Sequence, residues 1–130
     1  PMSSAQPART GTTPETPETP EPRIRIEPIA GTARATLNNQ IVAESTAALV
    51  LREGSYPPRV YFPMSDVRMD QLTATDKSTH CPHKGDASYW TVVAGGAEAP
   101  DVAWAYRTPI DEVGSIKDHI CFADPVVTEA

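Results

Sequence analysis

The sequence predicts a mostly β protein: one compact antiparallel β sandwich or barrel-like domain with one or two short helices. Three observations predict it. Short segments alternate with period two, Asn, Gly and Pro punctuate them, and six or seven such strands leave little room for helix. Arg23-Ile24-Arg25-Ile26-Glu27 alternates and is then interrupted by Pro28 and Gly31. Ala33 to Leu37, Asn38-Asn39 and Gln40 to Ala43 read as a hairpin, because Asn tolerates the positive φ of a tight turn. Ala47 to Leu51 suits either strand or helix, ended by Gly54 and Pro57-Pro58, and Val60-Tyr61-Phe62 is a strand stopped by Pro63. Ser65 to Leu72 is compatible with one or two helical turns behind a Ser65 cap. Two further strands, Ser88 to Val93 and Val102 to Tyr106, are expected to be joined by a loop holding Gly95, Gly96 and Pro100. Asp111 to Phe122 is expected to make one short helix and a final strand.

Composition divides the 130 residues into three parts. The first 22 hold six of the fourteen prolines, no aromatic residue and three Thr-Pro-Glu triplets from Thr13 to Glu21. Fixed φ and missing donors favour solvated polyproline II, so residues 1–22 are expected to be a disordered tail. Pro1 ahead of Met2 has the pattern of a protease-cleavage scar, with the natural start expected at Met2. Residues 23–123 form the expected domain and 124–130 a C-terminal tail.

Charge excludes some partners. Chain totals of 11 bases and 17 acids, less Arg9 and Glu15, Glu18 and Glu21 of the tail, leave 10 against 14, a net of −4. With no Lys/Arg cluster, a nucleic-acid surface is not expected. No apolar run reaches the ~20 residues that span a bilayer, so no membrane partner is expected and a cytoplasmic location is the default. Cys81 and Cys121 are then reduced thiols, able to pair only in an oxidising compartment. Oligomeric state is not legible.

The densest chemistry lies in Thr79-His80-Cys81-Pro82-His83-Lys84-Gly85-Asp86-Ala87-Ser88-Tyr89-Trp90. It combines a thiol, two of the three imidazoles, a Lys beside a Gly turn and an adjacent Tyr-Trp pair. Such a mixture suggests a turn presenting polar groups at the mouth of an aromatic-lined strand. Alternation puts Ser88, Trp90 and Val92 on one face, and Val102, Trp104 and Tyr106 share a face in the following strand. If those faces coincide, Trp90, Trp104 and Tyr106 form one wall, with Tyr89 beside it.

Three ordered blocks carry a resemblance: Tyr61-Phe62-Pro63-x-x-Asp66-Val67-Arg68, then Cys81-Pro82-x-Lys84-Gly85-x-Ala87-x-Tyr89-Trp90, then Ala103-Trp104-x-Tyr106 with Pro109 beyond. From Arg23 to about Phe122 the sequence resembles domain-of-unknown-function family 427, sometimes labelled nucleotidyltransferase-like. The resemblance implies a small, mostly β domain related in shape to the β-tent folds of methionine sulfoxide reductase B and the drug-binding domain of cereblon. It implies no established reaction. His83 stands where the family usually has an aromatic, and Ala123-Asp124-Pro125 follows Phe122 where the family usually continues to another aromatic. Nucleotidyl transfer is not expected. Lys84-Gly85 lacks the preceding Gly of a P-loop, Asp86 stands where Ser or Thr would bind the metal, and no close Asp-x-Asp or Asp-x-Glu pair is present.

Cys81, His83 and Lys84 are the candidate catalytic residues: a thiol beside positive charge, an acid or base, and an anchor for an anionic group. Tyr89, Trp90, Trp104 and Tyr106, with Arg68 as an anion clamp, are the candidate ligand-binding residues. Asp66 is read as a helix cap or Arg partner, and Asp86 as closing the Lys84-Gly85 turn. His80-Cys81-x-His83 and His119-x-Cys121 offer zinc-type donors without Cys-x-x-Cys spacing, so neither metal nor cofactor is assigned. The expected function is action on a small molecule by acid/base or thiol chemistry. The main alternative is a non-catalytic ligand-binding module using the same wall. An interaction module working through the Thr-Pro-Glu tail would survive mutation of the pocket and fail on deletion of residues 2–22.

Overall fold

The computed structural model describes residues 23–130, and the expected tail of residues 1–22 lies outside them. Ten strands follow in order: β1 Ile24–Pro28, β2 Ala33–Leu37, β3 Gln40–Ser45, β4 Leu49–Glu53, β5 Arg59–Pro63, β6 Leu72–Cys81, β7 Gly85–Ala94, β8 Ala97–Tyr106, β9 His119–Phe122 and β10 Val127–Glu129. They build two antiparallel sheets, one of seven strands in the order β1-β4-β5-β9-β8-β7-β6 and one of three in the order β10-β2-β3. Neither sheet closes into a barrel among the described residues. The arrangement is the sandwich alternative of the sequence reading.

Alternation within each strand decides what lies between the sheets. Ala33, Ala35, Leu37 and Val42 of the small sheet bury their side chains with Phe62, Trp90, Val92, Ala103, Ala105, Ile120 and Phe122 of the large one. Phe62 and Phe122 meet edge to face with ring centroids 5.7 Å apart. The neighbours of these residues point the other way. Leu51, Tyr61, Ala87, Tyr106 and Cys121 form a second cluster with Val113 and Ile116. Those last two come from a 3-10 segment, Asp111–Ile116, that covers part of the outer face.

Asn38 and Asn39 take φ of 50° and 67°, so the β2–β3 hairpin is the tight turn its sequence indicates. Its tip grips the β7–β8 turn. Gln40 Oε1 accepts from the Gly95 amide at 2.9 Å, and the Asn38 side-chain amide donates to the Gly95 carbonyl. A Cβ at Gly95 would stand 2.8 Å from the Asn38 carbonyl oxygen, on a backbone with φ +58°. Only glycine fits there.

Several expectations are corrected. Of Ala47 to Leu51, left open between strand and helix, Leu49 to Leu51 are strand, as the start of β4, and Ala47 and Ala48 precede it. Ser65 caps nothing: Ser65 to Leu72 holds two short 3-10 turns without side-chain caps, Met64–Asp66 and Met69–Gln71. Asp66 neither caps nor pairs with Arg; it accepts from Ser45 Oγ at 2.6 Å. Residues 124–130, read as a tail, contain β10, which pairs with β2, while Val126 is 2% exposed. The expected loop between the last two long strands shrinks to Gly95-Gly96, and Pro100 lies inside β8.

Pro100 fits a strand because β8 bulges there. Trp90 pairs with Ala103 and Val92 with Ala99, so Pro100, Asp101 and Val102 all oppose Thr91. A second bulge sits on the other flank of β7. Ala74 pairs with Trp90 and Ser78 with Ser88, so Thr75, Asp76 and Lys77 oppose Tyr89 alone. Thr75 Oγ1 donates to Asp101 Oδ1 at 2.7 Å, tying the two irregularities together. Asp101 holds φ 56°, a conformation that Asp tolerates better than most residues.

Candidate functional site

The outer face of the seven-stranded sheet carries a cavity of about 580 Å³. Tyr61, Tyr89, Trp104 and Tyr106 wall it, and Tyr56 stands at its rim, 67% exposed. Strand parity explains the wall. Tyr89 lies directly opposite Trp104 in the β7–β8 ladder, so both project from the same face, with ring centroids 6.3 Å apart and planes tilted by 38°. Trp104 lies close enough to the Tyr61 hydroxyl to favour its ionised form. Burial nonetheless pushes the Tyr61 phenol well above its ordinary 10.0. Burial likewise raises Tyr106, with Cys81 adding to the effect.

Trp90 does not belong to this wall. Its ladder partner is Ala103, so it points into the core between the sheets and is 7% exposed. The expected coincidence of the Trp90 and Trp104 faces fails on register, and Val102, expected on the face of Trp104 and Tyr106, joins the inner core instead because the β8 bulge breaks the alternation there.

The floor is polar. Lys84 Nζ donates to Glu53 Oε1 at 2.6 Å, with the two side chains only 11% and 14% exposed. Lys84 is delivered by the tight β6–β7 turn, in which its amide donates to the Cys81 carbonyl at 3.1 Å and its carbonyl accepts from the Ile110 amide at 2.9 Å. Gly85 lets that turn lie against residues 108–110. It has φ +124°, and a Cβ there would be 3.3 Å from the Thr108 carbonyl oxygen. Glu53 comes from the end of β4, beside a turn in which the Gly54 amide donates to the Arg23 carbonyl at 3.0 Å.

Of the three candidate catalytic residues, two meet. Cys81 Sγ lies 3.6 Å from Lys84 Nζ, and the thiol is half-buried against the outer cluster near Tyr106, outside the cavity lining itself. His83 is half-buried in the same turn and outside the cavity lining. Arg68 is exposed beyond the lining, its amide donating to the Val42 carbonyl, so it is no clamp for this cavity. Asp86 does not close its own turn; Oδ1 lies 2.8 Å from His80 Nδ1 across the β6–β7 ladder. His119 Nδ1 contacts the Lys117 carbonyl at 2.8 Å. Cys121 is buried, which pushes its thiol up to about 12. Among the described residues, no three His, Cys, Asp or Glu side chains come together to hold a metal ion.

The structure adds Glu53, Tyr56, Arg59, Tyr61, Lys77 and Asp101 to the site. Arg59 lies over the Trp104 ring with its guanidinium carbon 5.3 Å from the centroid, and Lys77 Nζ sits 4.7 Å from the Tyr89 centroid. Only Tyr61 carries a sequence signal, because it falls in the first of the three blocks. The others arrive through register and bulges, which no local pattern encodes.

Such a site can do two things. Its rings can stack a flat ligand, and its floor can offer that ligand an ammonium or a carboxylate. A family model described as a domain of unknown function (DUF427) matches residues 25–130. No curated protein matches the chain.

Proposed function

We propose the function of this chain, which belongs to the DUF427 family, from its cavity: it binds a small planar molecule by stacking on Tyr89 and Trp104 above the Lys84–Glu53 pair. The observation that carries this reading is the pair itself. Two ionised groups held away from water cost several kcal/mol each to desolvate, and their attraction seldom repays more than that. A fold gains little by keeping such a pair at the bottom of a cavity, whereas a ligand that hydrogen-bonds to it gains a strong, oriented contact. The aromatic rings supply apolar area and the pair supplies direction, the usual division of labour in a ligand site.

The test uses the two indoles against each other. Trp104 stands in the cavity and Trp90 lies in the core behind the sheet. Flat-ring fragments titrated into the protein should shift the Trp104 indole N–H resonance saturably and leave that of Trp90 in place. Lys84→Met should weaken the binding at least tenfold. Fragments that move neither indole, or both alike, would defeat the proposal.

A second reading rests on the 3.6 Å approach of Lys84 Nζ to Cys81 Sγ. In it the site is an enzyme: Cys81 is a nucleophile or acid with the Lys84 ammonium beside its sulfur, and Glu53 orients that ammonium. Cys81 and His83 both stand outside the cavity lining, and Cys81 is joined to it through Lys84. The two readings separate on the thiol. Bound fragment should slow alkylation of Cys81 by iodoacetamide in an enzyme whose sulfur faces the ligand. Cys81 alkylation unaffected by a saturating fragment leaves the binding module.

A further inference from the structure

We propose that the ligand of this cavity is an anion: a flat aromatic ring bearing one carboxylate or comparable acidic group, held by Arg59 and Lys77. The proposal rests on the binding reading above and names its ligand class.

The charges of the lining decide the sign. Three cations, Arg59, Lys77 and Lys84, stand against two carboxylates, Glu53 and Asp101, in a chain whose net charge is −6. The site therefore inverts the sign of the molecule that carries it. Both carboxylates are already served: Glu53 accepts from Lys84 at 2.6 Å, and Asp101 accepts from Thr75 Oγ1 at 2.7 Å. Arg59 and Lys77 differ. Among the described residues neither has a carboxylate within ion-pair distance, and each rests on the face of one wall aromatic. Their strands, β5 and β6, lie on opposite sides of the β8–β7 pair that carries the two rings. The two charges thus approach the Tyr89–Trp104 pair from either side.

This placement argues against a cationic ligand. An aromatic cage takes an ammonium on its ring faces, and here those faces already hold the chain's own cations. An incoming ammonium would have to displace like charges and then remain beside them. A flat anion makes the opposite exchange. Its ring replaces the guanidinium and the ammonium on Trp104 and Tyr89, and both heads swing on long stems to its acidic group. Charge-assisted hydrogen bonds to a carboxylate, bidentate from Arg, are stronger than the exposed cation–π contacts given up. Lys77 is available for this because the β6 bulge sets three residues opposite Tyr89 alone.

The experiment compares three probes of one shape: 2-naphthoate, 2-naphthamide and 2-naphthylmethylamine, each titrated at low salt while the Trp104 and Trp90 indole resonances are followed. The proposal expects naphthoate to bind at least tenfold more tightly than the amide, and the amine to bind weakest. Replacing both cations, Arg59→Gln with Lys77→Gln, should bring naphthoate and the amide within about threefold of each other. Both residues are exposed, so the variant should unfold at the wild-type temperature. Raising NaCl from 50 to 500 mM should shrink the preference in the wild type but not in the variant. Amide and acid binding alike, or amine binding best, would overturn the anionic class and leave the planar-ligand reading intact. Failure of all three probes to move Trp104 would overturn both.

Discussion

At the scale of single residues, Lys84 is the most consequential side chain. Its ammonium meets Glu53 at 2.6 Å with little water around either group, so removing one partner strands a buried charge. Lys84→Ala should lower stability by about 3 kcal/mol, and Glu53→Ala by a similar amount. Lys84→Met combined with Glu53→Leu should recover most of that loss, because apolar replacement of a whole buried pair is often neutral. Urea unfolding of the three variants checks this; additive losses in the double variant would show that the pair is not the source. The two cysteines make a second residue-scale contrast. Iodoacetamide should label half-buried Cys81 in the native protein, whereas Cys121, 1% exposed and with its thiol raised to about 12, should label only after denaturation. Peptide mass spectrometry reads both sites in one sample, and equal labelling of the two would contradict their burial.

At the scale of elements, the strands that the sequence displays are those with at least one apolar face. β1 and the β2–β3 hairpin alternate in hydrophobicity because one side of each meets a core, whereas β5 and β9 are short apolar runs with a core on both sides. β6 shows no such alternation: from Thr73 to His80 it is polar apart from Ala74, since it forms the outer edge of the sheet and is exposed over most of its length. Period-two reading cannot detect a strand with no dry side. The aromatic wall has a related history. Parity is legible within β7 and at Trp104 and Tyr106 of β8, but parity does not say which residue of one strand faces which of the other. One bulge interrupts the β7–β8 ladder, and Tyr89 rather than Trp90 meets Trp104. The turn holding Lys84-Gly85 was legible because glycine and its polar neighbours mark it. Its partner Glu53, thirty-one residues away, was not. The glycine of the other long hairpin supports a prediction at this scale. Gly95→Ala should cost about 2 kcal/mol or more, through a positive φ and a Cβ pressed against the Asn38 carbonyl. Gly96→Ala should cost less, because its Cβ would enter open space. Thermal unfolding of the two variants gives the comparison, and equal losses would mean that the Asn38 contact does not constrain the turn.

At the scale of the whole molecule, the outer cluster makes stability depend on alkaline pH. Burial raises the acid groups of Tyr61, Tyr106 and Cys121 in the folded state. A raised pKa means that the fold holds a proton which the unfolded chain releases earlier. The contribution is therefore complete below the ordinary values, 9.0 for the thiol and 10.0 for the phenols, and is lost as pH climbs towards the folded ones. Stability should be level to about pH 8.5 and then fall, by about 1.4 kcal/mol per pH unit for each group past its ordinary value. Melting temperatures between pH 7 and 11 test the sign, and Cys121→Ala should soften the first part of the decline.

The β6 bulge has a consequence for how copies of this protein meet. Among the described residues β6 is an outer strand, ten residues long, and such an edge offers amide and carbonyl groups to any strand that passes, the usual seed of edge-to-edge polymerisation. Here Thr75, Asp76 and Lys77 stand where regular pairing would place one residue, which breaks that row near its middle and sets two charges at the break. No second strand can lie along the whole of β6 without leaving part of its own backbone unpaired. The irregularity that carries the Lys77 ammonium to the Tyr89 ring therefore also guards the molecule against growing into fibres.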